Sequence, residues 1–465
     1  MNTTALSRRQ LLHRAGGGFA ALAFASLYHE AAAADDPLAA KAPHFRAKAK
    51  NVIFLYSTGG VSHVDTFDHK PKLFADHGKT VNVDLWMLKK GNYTKQLKRP
   101  NWAFAPRGKC GTPVSDLFPE LAGVIDDVCV INSMTTDTSA HDKATLGMHT
   151  GSFATARPSV GSWVTYGLGT ANRNLPGFVV IAPAPPYAGT TTWGSDFLPG
   201  CYQGTWVVPG REPIPDVRPR VADADLRALE SRLRDDLNAH HREGRAADAA
   251  LDARIRSFET AYGMQAAAPE AFDISGETDE ALALYGIDRK ATQGFGWQCL
   301  VARRLVERGV RFVELIDAGS SDRLNWDSHG DMNDHARLAK AIDRPVAGLI
   351  RDLKRTGLWK ETLIVWATEF GRTPFNQDAN HKGREHHPDA FTCWLAGAGV
   401  KGGIVHGKSD EYGIKVAEDG VHVHDLHATI LHLLGLDHER LTYRHAGRDF
   451  RLTDVSGTVV KAILA

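Results

Sequence analysis

Residues 363 to 403 read LIVWATEFGRTPFNQDANHKGREHHPDAFTCWLAGAGVKGG, with two short apolar runs on either side of a polar loop. The runs LIVWAT and AFTCWLAG are bounded by turn residues and rich in β-branched and aromatic side chains, so each is predicted to be a buried strand. The loop between them carries Glu369, Arg372, Arg384, His386 and His387. Because open α/β sheets place their sites beyond strand ends, this loop is predicted to form half of an active site, or the remains of one.

The same kind of apolar run recurs along the chain, separated by helical patterns. Runs that predict buried strands lie at residues 51–56, 128–132, 177–182 and 310–316, and helical patterns lie at 296–309 and 336–356. Strands that alternate with helices predict an α/β fold with a mostly parallel central sheet. Between residues 221 and 294 the chain is charged and Ala/Leu-periodic, which predicts a helical insertion whose charges face solvent.

The N-terminal residues predict an export signal over residues 1–34. The twin arginines Arg8 and Arg9 precede the apolar run AGGGFAALAFASL and a stretch of alanines that ends at Ala34. This is the order of parts in a twin-arginine signal with its cleavage region. An uncleaved anchor is the alternative, but the run is shorter than the roughly 20 residues that a membrane-spanning helix needs. We therefore expect the twin-arginine translocation machinery as a partner, export to the periplasm or beyond, and no transmembrane helix in the mature chain.

A polar linker over residues 35–50 is predicted to lead into one domain over residues 51–465. The composition is that of an ordinary globular protein, with 43% hydrophobic and 23% charged residues. The 55 Lys and Arg residues against 54 Asp and Glu residues leave a formal net charge of +1, so no excess of positive charge predicts a nucleic-acid partner. The five cysteines are scattered without C-x-x-C spacing, which excludes a disulfide scaffold or a zinc ribbon.

Two polar turns that follow predicted strands carry candidate site residues. Two glycines after the first strand precede His63 and Asp65, and glycine lets the backbone turn tightly beside a ligand, although an ordinary turn has the same composition. His141 lies in a Thr/Ser-rich turn before a helix. That setting suits a nucleophile or an anion at the helix N-terminus, with a capped helix and a surface histidine as the alternative.

A third turn offers metal ligands. Asp327 and His329 follow the apolar run 310–316 in the sequence N-W-D-S-H. A carboxylate and an imidazole two residues apart can meet one cation, and zinc, manganese and iron accept both kinds of ligand. The spacing alone does not decide, because Asp and His two residues apart are common.

In the order of these parts the chain resembles the alkaline phosphatase and sulfatase superfamily, and most closely the twin-arginine-exported domain of unknown function 1501 family. The motifs are a strand followed by GG-x-S-H-x-D, then W-D-x-H, E-F-G-R-T-P, HHPDAFTCWLAG-x-GVKGG and the ending HDLHATILHLLGLDHERLTYRHAGRDFRLT. The resemblance covers nearly the whole mature chain. It implies an alkaline phosphatase-like three-layer α/β/α sandwich and metal-assisted displacement at phosphorus or sulfur.

The resemblance also implies roles for individual residues. Asp327 and His329 correspond best to the family's metal-binding Asp and His, although that His normally lies further along the chain. His386 lies eleven residues before the end of the run AFTCWLAG and matches the late metal-binding histidine, with His387 as the alternative. Glu369 stands where the superfamily has the Asp of an Asp-His pair.

Several positions depart from the superfamily pattern. Phe370 occupies the place of the His in that pair, and Thr58 the place of an Asp after the first strand. His141 falls at the nucleophile position, with Thr138 and Ser139 as nearby hydroxyl candidates. The chain has no C/S-x-P-x-R stretch, so a formylglycine sulfatase is not expected. The second metal site of the superfamily is therefore expected to be lost or rebuilt from His63, Asp65 and Glu369.

These residues lead to one principal hypothesis, an exported metal-dependent hydrolase of a phosphate or sulfate ester. The expected cofactor is a divalent ion, zinc, calcium or manganese, and the expected substrate is an anionic ester such as a sulfated or phosphorylated carbohydrate. The predicted metal ligands are Asp327, His329, His386, Glu369, His63 and Asp65; the predicted catalytic residues are His141 and Arg372; the predicted substrate-binding residues are Arg384 and His387. Two alternatives stay open: a degenerate member that binds an anion without turnover, and metal storage by the His-rich C-terminal region.

Overall fold

The apolar runs of the sequence form the strands of one central sheet. The computed structural model describes residues 36–83, 93–215, 217, 223–243, 245, 249–318, 326–375 and 382–465, so the predicted signal over residues 1–34 lies outside the described residues. We number the nine strands of the sheet in chain order as β1 (Asn51–Ser57), β2 (Val128–Thr135), β3 (Phe178–Ile181), β4 (Thr205–Val207), β5 (Phe312–Asp317), β6 (Thr362–Ala367), β7 (Phe391–Gly397), β8 (Ile404–His406) and β9 (Val421–His422).

The strand order across the sheet is β8-β2-β7-β6-β1-β5-β3-β4, and β9 also pairs with β2. β7 is antiparallel to both of its neighbours, β6 and β2. All the other pairings in the sheet are parallel. The predicted α/β fold with a mostly parallel sheet is therefore confirmed.

Helices and short hairpins complete the described part of the chain. The α-helices are α1 (His63–Thr66), α2 (Pro71–Ala75), α3 (Pro119–Ala122), α4 (His141–Thr150), α5 (Val160–Leu168), α6 (Ala224–Arg242), α7 (Ala249–Phe272), α8 (Asp279–Tyr285), α9 (Phe295–Glu307), α10 (Asp334–Arg355) and α11 (Val423–Leu433). Two-stranded hairpins pair Thr80–Val83 with Tyr93–Gln96, Phe104–Arg107 with Thr112–Ser115, Gly371–Arg372 with His386–His387, Lys408–Ser409 with Val416–Glu418, and Tyr443–His445 with Arg448–Phe450. Single 3-10 turns lie at Ile125–Asp127, Gly189–Trp193, Gly200–Tyr202, Leu358–Lys360 and Lys461–Ile463.

Helices cover both faces of the sheet. Every residue of β1 is buried, and its side chains alternate between two apolar cores. Ile53 and Leu55 pack in the core that contains α9 and α10, whereas Phe54 and Tyr56 pack in the core that contains α5 and α11. A strand buried on both faces needs apolar side chains at nearly every position, which is why the run NVIFLYS does not alternate with polar residues. The predicted three layers are present.

Residues 36–50, predicted as a linker, lie along the surface of the domain. The backbone N–H groups of Lys48 and Ala49 both donate to the carbonyl of Leu433 at 2.9 Å. Asp36 accepts a hydrogen bond of 2.7 Å from Nε of Arg256 on α7. Helices α6, α7 and α8 lie within residues 221–294, the stretch predicted as a helical insertion. Within the described ranges, none of the helices combines the length and apolarity needed to cross a membrane.

A buried ion pair links α4 to the middle of the sheet. Nε2 of His149 lies 2.7 Å from Oε1 of Glu314 on β5, and the two side chains are 0% and 1% exposed. Nδ1 of His149 faces the carbonyl of Thr145 at 2.7 Å. Because both ring nitrogens face acceptors, both can donate only if the ring is an imidazolium. Burial alone would lower the pKa of His149, but the carboxylate of Glu314 raises it above its usual value.

We expect this pair to make stability depend on pH. The folded state binds the His149 proton more tightly than the unfolded chain, so the stabilisation is complete below the ordinary histidine pKa of about 6.5 and is lost as the pH rises through the raised folded pKa. The free energy of unfolding is measured with urea between pH 6 and pH 9. Over this range, that of the wild type should fall by about 1 to 3 kcal/mol more than that of the Glu314→Gln variant. The same pH slope in both proteins would contradict this role.

Candidate metal centre

The ends of four strands bring candidate ligands to one edge of the sheet. β2 leads into α4, whose first residue is His141, and β6 leads directly into Glu369. The chain that leaves β5 passes Asp327 before it enters α10. β7 runs antiparallel, so His386, which precedes it, lies at the same edge as the residues that follow the parallel strands. This is the edge at which parallel α/β sheets place their sites.

Three histidines converge on one carboxylate oxygen. Oδ1 of Asp327 lies 2.9 Å from Nε2 of His329, 3.2 Å from Nε2 of His386 and 3.2 Å from Nε2 of His141. The Nε2 atoms of His329 and His386 lie 2.8 Å from each other. In the described part of the chain, one group of side chains has the mutual distances expected of metal ligands, namely His141, Asp327 and His386.

We call the space between Asp327, His141, His329 and His386 the centre. In each histidine, the hydrogen bond of Nδ1 determines that Nε2 faces the centre. Nδ1 of His141 lies 2.7 Å from Oε1 of Glu369, Nδ1 of His386 lies 2.7 Å from the carbonyl oxygen of Ser139, and Nδ1 of His329 lies 3.2 Å from Oε2 of Glu385. Each of these acceptors favours a proton on Nδ1. In the neutral ring, Nε2 then presents its lone pair to the centre.

The donor set fits a divalent cation. Nε2 of His141 is buried and lacks a well-aligned hydrogen bond, although Oδ1 of Asp327 lies 3.2 Å away. The facing Nε2 atoms of His329 and His386 can share at most one proton. A cation bound between the three Nε2 atoms would accept a lone pair from each, so that every Nε2 atom would have a partner. Ligand atoms about 2.0–2.1 Å from a tetrahedral zinc ion lie roughly 3.3 Å from one another, close to the observed distances from Oδ1 of Asp327.

The charges at the centre shift several pKa values. Burial would raise the pKa of Asp327, but contacts from His141, His329 and His386 and the charge of Arg372 hold it well below its usual range. The carboxylates of Asp327 and Glu385 raise the pKa of His329 to about 9. The pKa of His386 is lowered, chiefly because burial disfavours the charged ring. The carboxylate is therefore ionised at neutral pH.

Glu369, predicted as a metal ligand, holds His141 in place. Its carboxylate is fully buried and accepts hydrogen bonds from the backbone N–H of Gly59 at 2.7 Å and from the hydroxyl of Tyr56 at 2.9 Å. Burial would raise its pKa, but the contact with His141 lowers it. The arrangement is the carboxylate–histidine pairing that commonly lies behind a metal ion.

All five N–H groups of the buried Arg372 guanidinium face protein acceptors, which leaves none for a substrate anion. They face the carbonyls of Gly60 at 2.8 Å, Arg384 at 3.1 Å and Gly59, Oδ1 of Asp327 at 2.5 Å, and Nε2 of His329 at 3.4 Å. Arg372 therefore ties the glycine turn after β1 to the central carboxylate.

The other four predicted site residues form a separate buried group. Nε of Arg384 lies 2.6 Å from Oδ2 of Asp65, and both side chains are fully buried. Nε2 of His63 contacts the carbonyl of Gly413 at 2.9 Å, and Nε2 of His387 contacts the carbonyl of Ile414 at 2.7 Å. The two imidazole rings stack with their centroids 5.8 Å apart. The group lies beside the centre and is linked to Asp327 through Arg372, which donates to the carbonyl of Arg384 and to Oδ1 of Asp327.

The two departures from the superfamily pattern have clear surroundings. The ring of Phe370 lies 4.7 Å from the ring of His141 and 4.6 Å from that of His386, centroid to centroid. It also fills the space next to Gly60, where an added Cβ would lie 2.6 Å from the ring. The hydroxyl of Thr58 is buried and makes no hydrogen bond. An apolar ring thus closes one side of the centre.

Several supporting residues could not be predicted from the sequence. Tyr56 and the carbonyl of Ser139 gave no signal, because their contacts with Glu369 and His386 join distant parts of the chain. The ring of Tyr187 stacks on His141 at 4.1 Å and 12°, and it follows β3 in a stretch with no motif. Glu385 had one signal, its place directly before His386.

A model of one protein family matches almost the whole described domain. The family is described as "Protein of unknown function (DUF1501)", and the match covers residues 49–464. The chain belongs to this family. The membership predicted from the sequence motifs is confirmed, and no curated protein matches the chain.

Solved structures similar to the chain include enzymes named as phosphatases and sulfatases. The alkaline phosphatase from the Antarctic bacterium TAB5 is 10% identical, over 84% of this chain and 99% of that one, with a TM-score of 0.34. The PsFucS1 sulfatase from Pseudoalteromonas sp. is 12% identical, over 85% and 69%, with a TM-score of 0.36. The lipoteichoic acid synthase LtaP from Listeria monocytogenes is 9% identical, over 91% and 80%, with a TM-score of 0.36. Similarity at this level carries no argument about activity.

We expect Glu369→Gln to weaken zinc binding by about 10- to 100-fold, because the amide no longer holds the His141 ring with a charged acceptor. The zinc affinity is measured by competition with a chelator. The matched control is Glu361→Gln, which makes the same change at a carboxylate that is 45% exposed and pairs with Lys50. Equal affinities in the two variants would show that Glu369 does not support the centre.

Proposed function

We propose that this protein is an exported hydrolase of a phosphate or sulfate ester that uses one divalent metal ion. The observation that carries the proposal is the orientation of the three histidines. His141, His329 and His386 each direct Nδ1 to a protein acceptor and Nε2 to the same oxygen of Asp327. Three histidines directed in this way to one carboxylate suit a metal centre better than a structural hydrogen-bond cluster.

Asp327, His141 and His386 would hold the ion, and His329 would complete the set. When bound, a divalent ion supplies Lewis-acid polarisation of an ester oxygen or lowers the pKa of a water molecule. Imidazole-rich sites favour zinc, whereas calcium takes six to eight oxygen ligands. Of the three ions expected from the sequence, we therefore propose zinc. His141, predicted at the attack position, becomes a ligand in this proposal.

The surrounding residues orient and shield the centre. Glu369 fixes the tautomer and the direction of His141, and Arg372 partly balances the charge of Asp327. The ring of Phe370 excludes water from the side next to Gly60. His329, with its side chain 39% exposed, marks the open side from which a substrate would enter.

The substrate class we propose is an anionic ester, such as a sulfated or phosphorylated carbohydrate. The half-buried ring of Tyr187 lies over His141 and offers an apolar wall on which the carbohydrate part of such an ester could pack. Amphipathic rings of this kind commonly orient ligands in pockets. We also propose export by the twin-arginine route, on the basis of the arginine pair before the N-terminal apolar run.

A second candidate function is binding without turnover. Phe370 fills the position of a ligand to a second ion, and Thr58 offers an unpartnered hydroxyl where the superfamily has a carboxylate. A centre with one ion and no second ion could bind an anion without activating a nucleophile. The storage alternative has less support, since His424 and His427 contact the carbonyls of Gly151 and Met148.

We expect purified protein to bind about one zinc ion and to hydrolyse at least one of p-nitrophenyl phosphate, bis-p-nitrophenyl phosphate and p-nitrophenyl sulfate. Asp327→Asn should lower the rate by at least about 100-fold, because losing a ligand costs more than the 10- to 100-fold cost of losing an outer partner. Metal content is measured by elemental analysis and turnover by release of nitrophenolate.

The control is Asp116→Asn, the same change at a surface carboxylate that pairs with Arg107. It should leave both readouts unchanged. Zinc binding without hydrolysis of any ester would favour the binding protein over the enzyme. A protein that neither retains zinc nor turns over any ester would refute the proposed function.

A further inference from the structure

Helix α6 exposes a stripe of leucines. Leu226, Leu229, Leu233 and Leu237 are 47%, 58%, 59% and 61% exposed. Their spacing of three, four and four residues puts them on one face of the helix. Single exposed leucines are common on protein surfaces, but a contiguous row of this length marks an interaction site.

The helix turns its polar side toward its own chain. The half-buried residues of α6 are Arg227, Ser231, Arg234 and Asn238, which lie on a face about 125° round the helix from the leucines. The guanidinium of Arg234 lies 4.9 Å above the ring of Tyr262 on α7. The hydroxyl of Tyr262 donates to the carbonyl of Arg227 at 3.3 Å. The leucine stripe is thus directed away from the helix that could have buried it.

We propose that the leucine stripe of α6 is an interface between two copies of this chain. A two-fold axis near residues 231–232 would run the two helices antiparallel and place Leu226 opposite Leu237, and Leu229 opposite Leu233, of the second copy. The stripe is therefore complementary to itself, which is what a two-fold symmetric contact requires. This proposal does not depend on the proposed hydrolase activity.

The face formed by α6 together with α7 reaches the lower size limit of a specific interface. Helix α6, with 19 residues, is about 28 Å long, and α6 and α7 side by side are about 20 Å wide. The paired faces would bury roughly 560 Å² on each copy, or about 1,100 Å² in total, just above the roughly 1,000 Å² that a specific interface needs. On α7, Phe258 is 56% exposed, so the neighbouring helix also carries an exposed apolar ring.

The test is the mass of the full chain in solution, measured by sedimentation equilibrium from about 1 to 50 µM. The wild type should have about twice the chain mass of 50.7 kDa. The double variant Leu229→Glu with Leu233→Glu should raise the dimer dissociation constant by at least 100-fold, because each copy would bring two charges into the contact. The second pair, Leu226→Gln with Leu237→Gln, should weaken the dimer in the same direction.

The matched control is Ala228→Glu with Ala239→Glu, which adds the same charges at exposed positions of α6 outside the stripe. It should stay dimeric. Because the substituted leucines are exposed, all variants should keep the far-UV circular dichroism of the wild type, whereas the melting temperature of the wild type should rise with concentration and that of the monomeric variants should not. A wild type that is monomeric at 50 µM would overturn the proposal. A monomer that sediments with phosphatidylglycerol vesicles would overturn it too, because the leucine stripe would then bind a membrane surface. A glutamate variant that is folded and still dimeric would overturn it as well.

Discussion

The negative charge of Asp327 is the constraint on which this edge of the sheet depends. Its side chain is 25% exposed, so water supplies only part of the compensation that a carboxylate needs. Three imidazoles and the Arg372 guanidinium supply the rest. These groups come from β2, β5, β6 and the entry to β7, so the position of one charge fixes the relative positions of four chain segments.

The supporting contacts extend this constraint into the core. Glu369 joins His141 to Tyr56, and Tyr56 lies in β1 at the centre of the sheet. The hydroxyl of Tyr56 also lies 3.0 Å from Oγ1 of Thr145 on α4. A ligand held from behind by strands and a helix loses little freedom when it binds, which is the physical basis of a preorganised site. This support is strongest behind His141, because Glu369 and its partner Tyr56 are buried in the core.

Much of the fold could be predicted from the sequence, because buried parallel strands need continuous apolar runs. β6 and β7 were visible as LIVWAT and AFTCWLAG for this reason. Asp327 and His386 were found among the candidates because each lies close to a strand end. The pairing of Asp65 with Arg384 could not be predicted, since it joins residues 319 positions apart. The direction of His141 depends on the buried carboxylate of Glu369, which the local sequence does not encode.

Gly60 and Phe370 form one steric unit. Gly60 has a φ of +79°, and an added Cβ would lie 2.6 Å from the Phe370 ring. The glycine is therefore required twice, once by its backbone conformation and once by its neighbour. Within the family, a smaller side chain at position 370 would relieve only the second requirement, so substitution at position 60 should be rarer than substitution at position 370. In family members, the residue at position 370 would therefore indicate whether an aromatic ring or a metal ligand occupies the space beside the histidines.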